Sequence, residues 1–65
     1  MKILTWQARH NKKLSLVELE TLTGISKSTL NNIENGKTVP TIIQLEKIAI
    51  ACETKITALF ESEYK

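Results

Sequence analysis

The 65-residue chain carries nine basic and seven acidic side chains, a formal charge of +2, and a single cysteine, Cys52. Such a length makes residues 1–65 one domain with a thin core. One cysteine excludes an internal disulfide and a cysteine-rich metal site. The apolar runs are too short to span a membrane, and no signal-peptide core heads the chain, so the expected compartment is the cytoplasm. From Lys2 to Thr41 six bases (Lys2, Arg9, Lys12, Lys13, Lys27, Lys37) face three acids (Glu18, Glu20, Glu34). From Ile42 to Lys65 three bases (Lys47, Lys55, Lys65) face four acids (Glu46, Glu53, Glu61, Glu63). On charge alone, a polyanionic partner and an ordinary solvated surface both remain open.

Apolar residues recur at three and four rather than two, and strand signals are absent, so an all-α bundle of five short helices is expected. The first helix spans about Lys2 to Asn11, with Leu4 and Ala8 on one face and Lys12-Lys13 at its C-terminal end. Trp6 lies off that stripe, at the core rim or against a partner. Ser15 and Glu18 form a capping box for the second helix, which Leu14 and Leu19 staple and Gly24 ends. Ser26 caps the third helix, Ile25 staples to Leu30, and the helix stops near Asn35-Gly36. After a loop to Pro40, Thr41 and Gln44 start the fourth helix, whose inner stripe is Leu45, Ile48, Ala49 and Cys52. A fifth helix around Ile56 to Phe60 closes the bundle. The second and third helices, hinged at Thr23-Gly24-Ile25-Ser26, read as a helix-turn-helix.

The third helix carries the chemistry. At 100° per residue Leu30 and Ile33 turn inward, while Ser28, Asn31, Asn32 and Asn35 turn outward with Lys27 at the edge. Solvated helix faces favour Glu, Lys, Gln and Arg, whereas Asn and Ser each cost up to about 0.7 kcal/mol relative to Ala. A face built from poor helix formers breaks a local rule, as functional sites do. Asn can pair with adenine N6 and N7, Lys with guanine O6 and N7, and Ser with either. The plainer alternative is an indifferent polar face.

The run Leu14-Ser15, Leu19, Gly24-Ile25-Ser26-Lys27-Ser28-Thr29-Leu30, Ile33-Glu34-Asn35-Gly36-Lys37, Pro40, Leu45, Ile48-Ala49, Leu59-Phe60 resembles the Cro/C1-type (XRE-like) helix-turn-helix family. The resemblance covers about Leu4 to Phe60, and its most specific part is Ile33 to Lys37 with Pro40. It implies the lambda-repressor-like fold of five helices and DNA binding. By position it implies base reading by Lys27, Ser28, Asn31 and Asn32. It implies phosphate contacts at Ser15 and Leu16, by backbone N–H groups at a helix N-terminus, and at Asn35, Lys37 and Thr38. It also implies a structural salt bridge between Arg9 and Glu34, and the helical wheel separately puts Glu34 near the buried side.

Three departures from the family stand out. Leu16 replaces a Gln whose side chain touches phosphate. Glu20 replaces a small residue where two helices approach, so it must lean out or part them. Thr23 replaces a core aliphatic while Leu22 takes an exposed position, which implies a slightly rotated second helix. Ile43 and Ile50, seven residues apart, stand where the family carries polar residues. With Phe60 or Tyr64 they make a candidate homodimer contact, or they are scattered surface apolars.

The expected function is a sequence-specific regulator of transcription on double-stranded DNA, a repressor that occupies a near-palindromic operator as a homodimer. The alternative is a protein-interaction module, such as an antitoxin-type partner, on the same fold. No cofactor, metal, small-molecule ligand or membrane is expected. No catalytic constellation is present, since His10 is the lone histidine beside Lys12-Lys13 and Cys52 reads as a small core residue.

Overall fold

The chain opens with two extended residues, Lys2–Ile3 (β1), and enters α1 (Thr5–Asn11), α2 (Leu16–Thr23), α3 (Lys27–Glu34) and α4 (Ile42–Ala51). A single 3-10 turn, Ile56–Leu59, leads into β2, Phe60–Glu61. The computed structural model describes every residue from Met1 to Lys65.

Local chemistry sets most helix ends. Ser15 Oγ accepts from the Glu18 N–H at 3.0 Å while Glu18 Oε1 accepts from the Ser15 N–H at 2.9 Å. Thr41 and Gln44 repeat the reciprocal box at the start of α4. Ser26 Oγ accepts from the Thr29 N–H and caps α3. These bonds satisfy amides that a helix N-terminus otherwise leaves bare. Gly24 ends α2 and Gly36 follows α3, both left-handed, with φ of 73° and 74°. After α3 the Lys37 N–H reaches Asn32 O at 2.8 Å and the Gly36 N–H reaches Ile33 O at 3.2 Å. That is a Schellman closure.

Two expectations fail at the chain ends. There are four α-helices, not five, and strand pairing exists after all. The first helix starts at Thr5 rather than Lys2, because Lys2 and Ile3 pair antiparallel with Glu61 and Phe60. The Leu4 N–H also donates to Leu59 O at 2.7 Å. The segment from Ile56 makes one 3-10 turn, with the Ala58 N–H on Lys55 O, and Phe60 is already extended. Ile56 and Thr57 are β-branched, and four residues are too few to nucleate an α-helix against a competing strand.

The core forms where α2, α3, α4 and the 3-10 turn meet. Leu19, Leu30, Ile33, Ile48 and Leu59 are fully buried, joined by Ile25, Leu45, Ala49 and Cys52. Burial pushes the Cys52 thiol up, so it stays protonated. Thr23 is buried too, its hydroxyl donating to Leu19 O at 2.7 Å and accepting from the Ile25 N–H at 3.1 Å. This explains how a polar residue replaces an aliphatic one: its single hydroxyl is satisfied twice inside the hinge. Leu22 points to solvent. Thr23 thus takes the inward place and Leu22 the outward one.

Two further closures use residues other than glycine in the left-handed region, Lys13 at φ 57° after α1 and Glu53 at φ 53° after α4. The Leu14 N–H reaches Arg9 O and the Thr54 N–H reaches Ala49 O across them. A side chain costs roughly 1–2 kcal/mol in this conformation. Lys13→Gly removes that cost and adds flexibility to the unfolded chain. A net gain of about 0.5–1 kcal/mol is expected in urea denaturation, within the range the two opposing effects allow.

Candidate nucleic-acid interface

The outward edge of α3 is polar and uncluttered. Lys27, Ser28 and Asn31 are exposed. Asn32 is half-buried, so it lies at the side of that face rather than on its crest. Asn35, the C-cap, donates from Nδ2 to Asn31 Oδ1 at 3.3 Å. That bond leaves the Asn31 amide nitrogen as an outward donor. Lys37 and Thr38 are exposed just beyond, with the Lys37 backbone fixed by the closure on Asn32.

What aims this face is a pair behind it. Arg9 on α1 donates from Nε to Glu34 Oε2 at 2.7 Å and from Nη2 to Glu34 Oε1 at 3.1 Å. This fork-to-fork geometry fixes direction as well as distance. Arg9 Nη1 also donates to Leu14 O at 2.9 Å. The two side chains keep only 11% and 4% of their surface exposed. Hydrogen bonding to Glu34 raises the Arg9 pKa above its ordinary value, so the guanidinium is permanently charged. His10 Nε2 lies 3.3 Å from Arg9 Nη2, and Trp6, half exposed, stacks on His10 with centroids 3.8 Å apart. Trp6 thus covers the outer side of this network.

The N-terminus of α2 carries the expected capping box. The Ser15 N–H already donates to the Glu18 carboxylate, which therefore stands where a phosphate would approach. Hydrogen bonds from Ser15 hold the Glu18 carboxyl below the usual carboxylate range, so it is charged at neutral pH. A phosphate at the Ser15 amide would share that donor with the Glu18 carboxylate. The Leu16 side chain packs against the core and offers a phosphate only its backbone.

Glu20 supplies a contact that residue reading did not foresee. It is half-buried and turns toward the start of α3. Its Oε2 accepts from the Lys27 N–H at 2.8 Å, across the turn. The family's small residue at that position conceals this option, and the only signal is a long acidic side chain one hinge away from a bare helix end.

Away from α3, Ile43 and Ile50 are 63% and 71% exposed, and Tyr64 is 93% exposed. Phe60 is instead half-buried against the core, opposite Ile3, with Lys65 Nζ 5.5 Å from its ring. Ile42, missed by the search for seven-residue spacing, is equally exposed. Val17 and Leu22 are also exposed and border a shallow groove on α2 with Leu14, Glu18 and Thr21. No helix is long and apolar enough to cross a membrane. No group of three or more His, Cys, Asp or Glu could hold a metal ion.

With the hinged pair, its polar face and its brace in place, the chain falls into a recognisable class. Residues 7–59 match the helix-turn-helix family. The chain belongs to that family, in its Cro/C1-type branch of DNA-binding domains. Its structure is similar to the N-terminal DNA-binding domain of SinR from Bacillus subtilis, with a TM-score of 0.80 and 31% identity over 94% of this chain and 90% of that one. It is also similar to the restriction-modification controller protein C.AhdI from Aeromonas hydrophila, with a TM-score of 0.81 and 27% identity over 86% and 85% of the two chains. A helix-turn-helix transcriptional regulator from Vibrio cholerae aligns at 41% identity and a TM-score of 0.77, over 83% of this chain and 30% of that longer protein. No curated protein sequence matches the chain.

The brace has a measurable weight. Removing one partner strands a buried charge, so Arg9→Ala or Glu34→Ala should each lower stability by about 3–5 kcal/mol. The double variant Arg9→Met with Glu34→Leu should recover most of it in the same chemical denaturation, because it strands no charge.

Proposed function

We propose that the chain is a sequence-specific regulator of transcription that binds double-stranded DNA and represses by occupying its operator. One observation carries this reading: the amide, hydroxyl and ammonium groups of Lys27, Ser28 and Asn31 project from one helix whose rear is clamped by Arg9 and Glu34. Asn32 joins them from the side of the face. α3 lies in the major groove with its N-terminal residues against base edges. Lys37, Thr38 and Asn35 meet the phosphates on one flank, and the Leu16 amide meets them on the other. The names of similar proteins, a DNA-binding domain, a controller protein and a transcriptional regulator, agree with this assignment.

The active form is a homodimer on a near-palindrome. Ile43 and Ile50 expose one apolar side of α4, with Ile42 beside them and Tyr64 on the tail. Two copies joined there present reading helices about 34 Å apart, one turn of DNA. Ile43→Glu with Ile50→Glu should leave the helical content unchanged and convert the sedimenting species to a monomer. A wild-type chain that sediments as a monomer at high micromolar concentration removes the dimer. A second reading, a protein-interaction module or antitoxin-type partner, draws on the exposed Val17 and Leu22 beside their groove.

Selection of bound sites from random duplexes separates the readings, since a DNA reader returns a motif with symmetry and spacing. On the selected site, Asn32→Ala should lose about 1–3 kcal/mol and relax one base position. Lys37→Ala should weaken all sequences alike and flatten the slope of log affinity against log salt by about 0.9. Equal effects of both variants on every sequence would overturn the division of roles.

A further inference from the structure

We propose that Glu20 is a positioning residue that makes the reading helix discriminate between base edges and backbone. The inference rests on the DNA-reading assignment and adds a residue to it. A carboxylate stands at the amino end of α3, the end that leads into the groove. It arrives from α2, seven residues upstream, and its Oε2 holds the Lys27 N–H at 2.8 Å. The other first-turn bonds come from within α3's own cap, where Ser26 Oγ accepts from the Thr29 N–H at 3.2 Å and donates to Thr29 Oγ1 at 2.9 Å. Glu20 is therefore the one tie from the supporting helix to the leading end of the reading helix. Its side chain is only half-buried, and only Oε2 is engaged, so the second oxygen and the charge remain at the surface beside Lys27.

The charge has unequal effects in two kinds of complex. In a misregistered complex, binding is carried by phosphates, and a carboxylate at the leading end opposes it. In the seated complex that end faces base edges, where cytosine N4 and adenine N6 are donors that a carboxylate accepts. Glu20 thus weakens the wrong complexes more than the right one, a repulsive element that raises specificity. The Lys27 amide, once held by Glu20, is also withdrawn as a phosphate ligand. Affinity at this end then depends on the Lys27 and Ser28 side chains, which can tell bases apart.

The test compares Glu20→Gln and Glu20→Ala with the wild-type chain, on the selected duplex and on an unrelated duplex, across a salt series. Glu20→Gln keeps an oxygen for the Lys27 amide and removes the charge. It should melt as wild type does, bind unrelated DNA roughly 3- to 10-fold tighter, and bind the selected site less than about 2-fold tighter. The salt slope on unrelated DNA should steepen by about 0.9. Glu20→Ala loses the tie as well, so it should melt lower and also lose affinity for the selected site. If Glu20→Gln strengthens both duplexes equally, or changes neither, the inference is overturned while the wild-type preference still upholds the DNA-reading assignment. If the wild-type chain itself shows no preference between the duplexes, that assignment fails and the Glu20 role falls with it.

Discussion

One guanidinium decides where the reading helix points. Arg9 binds Glu34 of α3 with two nitrogens and the Leu14 carbonyl, at the entry to α2, with the third. Two neighbouring segments and one 25 residues away are thereby referred to one planar group. A buried ion pair adds little net stability over an apolar pair of equal size, because desolvation offsets the attraction. What it adds here is direction: only one rotation of α3 lets both carboxylate oxygens meet the fork. That rotation sends Lys27, Ser28 and Asn31 outward and buries Leu30 and Ile33. The fully buried Leu30 and Ile33 resist a roll of the helix, and the fork adds a directional bond to the same orientation.

The hinge is polar where a hydrophobic one would serve for packing. Thr23 satisfies its hydroxyl on the backbone at both sides of the turn, Glu18 covers the start of α2, and Glu20 covers the start of α3. Both helix N-termini, the natural anion sites of such a motif, are met by the chain's own carboxylates. Backbone attraction for phosphate is muted in consequence. Affinity shifts to side chains, and to the basic excess spread over the first two thirds of the sequence. A chain with a formal charge of only +2 has little unspecific pull on a polyanion to spare.

How much was legible beforehand follows from the range of each interaction. The caps at Ser15, Ser26 and Thr41 and the stops at Gly24 and Gly36 depend on three or four neighbouring residues, and the sequence displays them directly. The inner stripe of α4 is equally plain. The start of α1 and the last turn were misjudged because Lys2 and Ile3 choose partners at the far end of the chain. No local rule contains that choice. The α3 face came from periodicity, yet Asn32 sits deeper than an ideal wheel suggests. The capping box at Ser15 was read directly, and it engages the same amide that the resemblance offers to phosphate. The Glu20 contact escaped because the family places a small residue there.

The pairing of Lys2–Ile3 with Phe60–Glu61 carries a separate consequence. Residues 2–3 and 60–61 thus lie one strand spacing apart, roughly 4.8 Å. Closing a loop of almost the whole chain carries the largest loop-closure entropy of any contact in the fold. Leu4, tied to Leu59 O, is the N-cap of α1, just over one turn ahead of Arg9. Fraying at the ends therefore reaches the clamp on α3 through a single turn of α1.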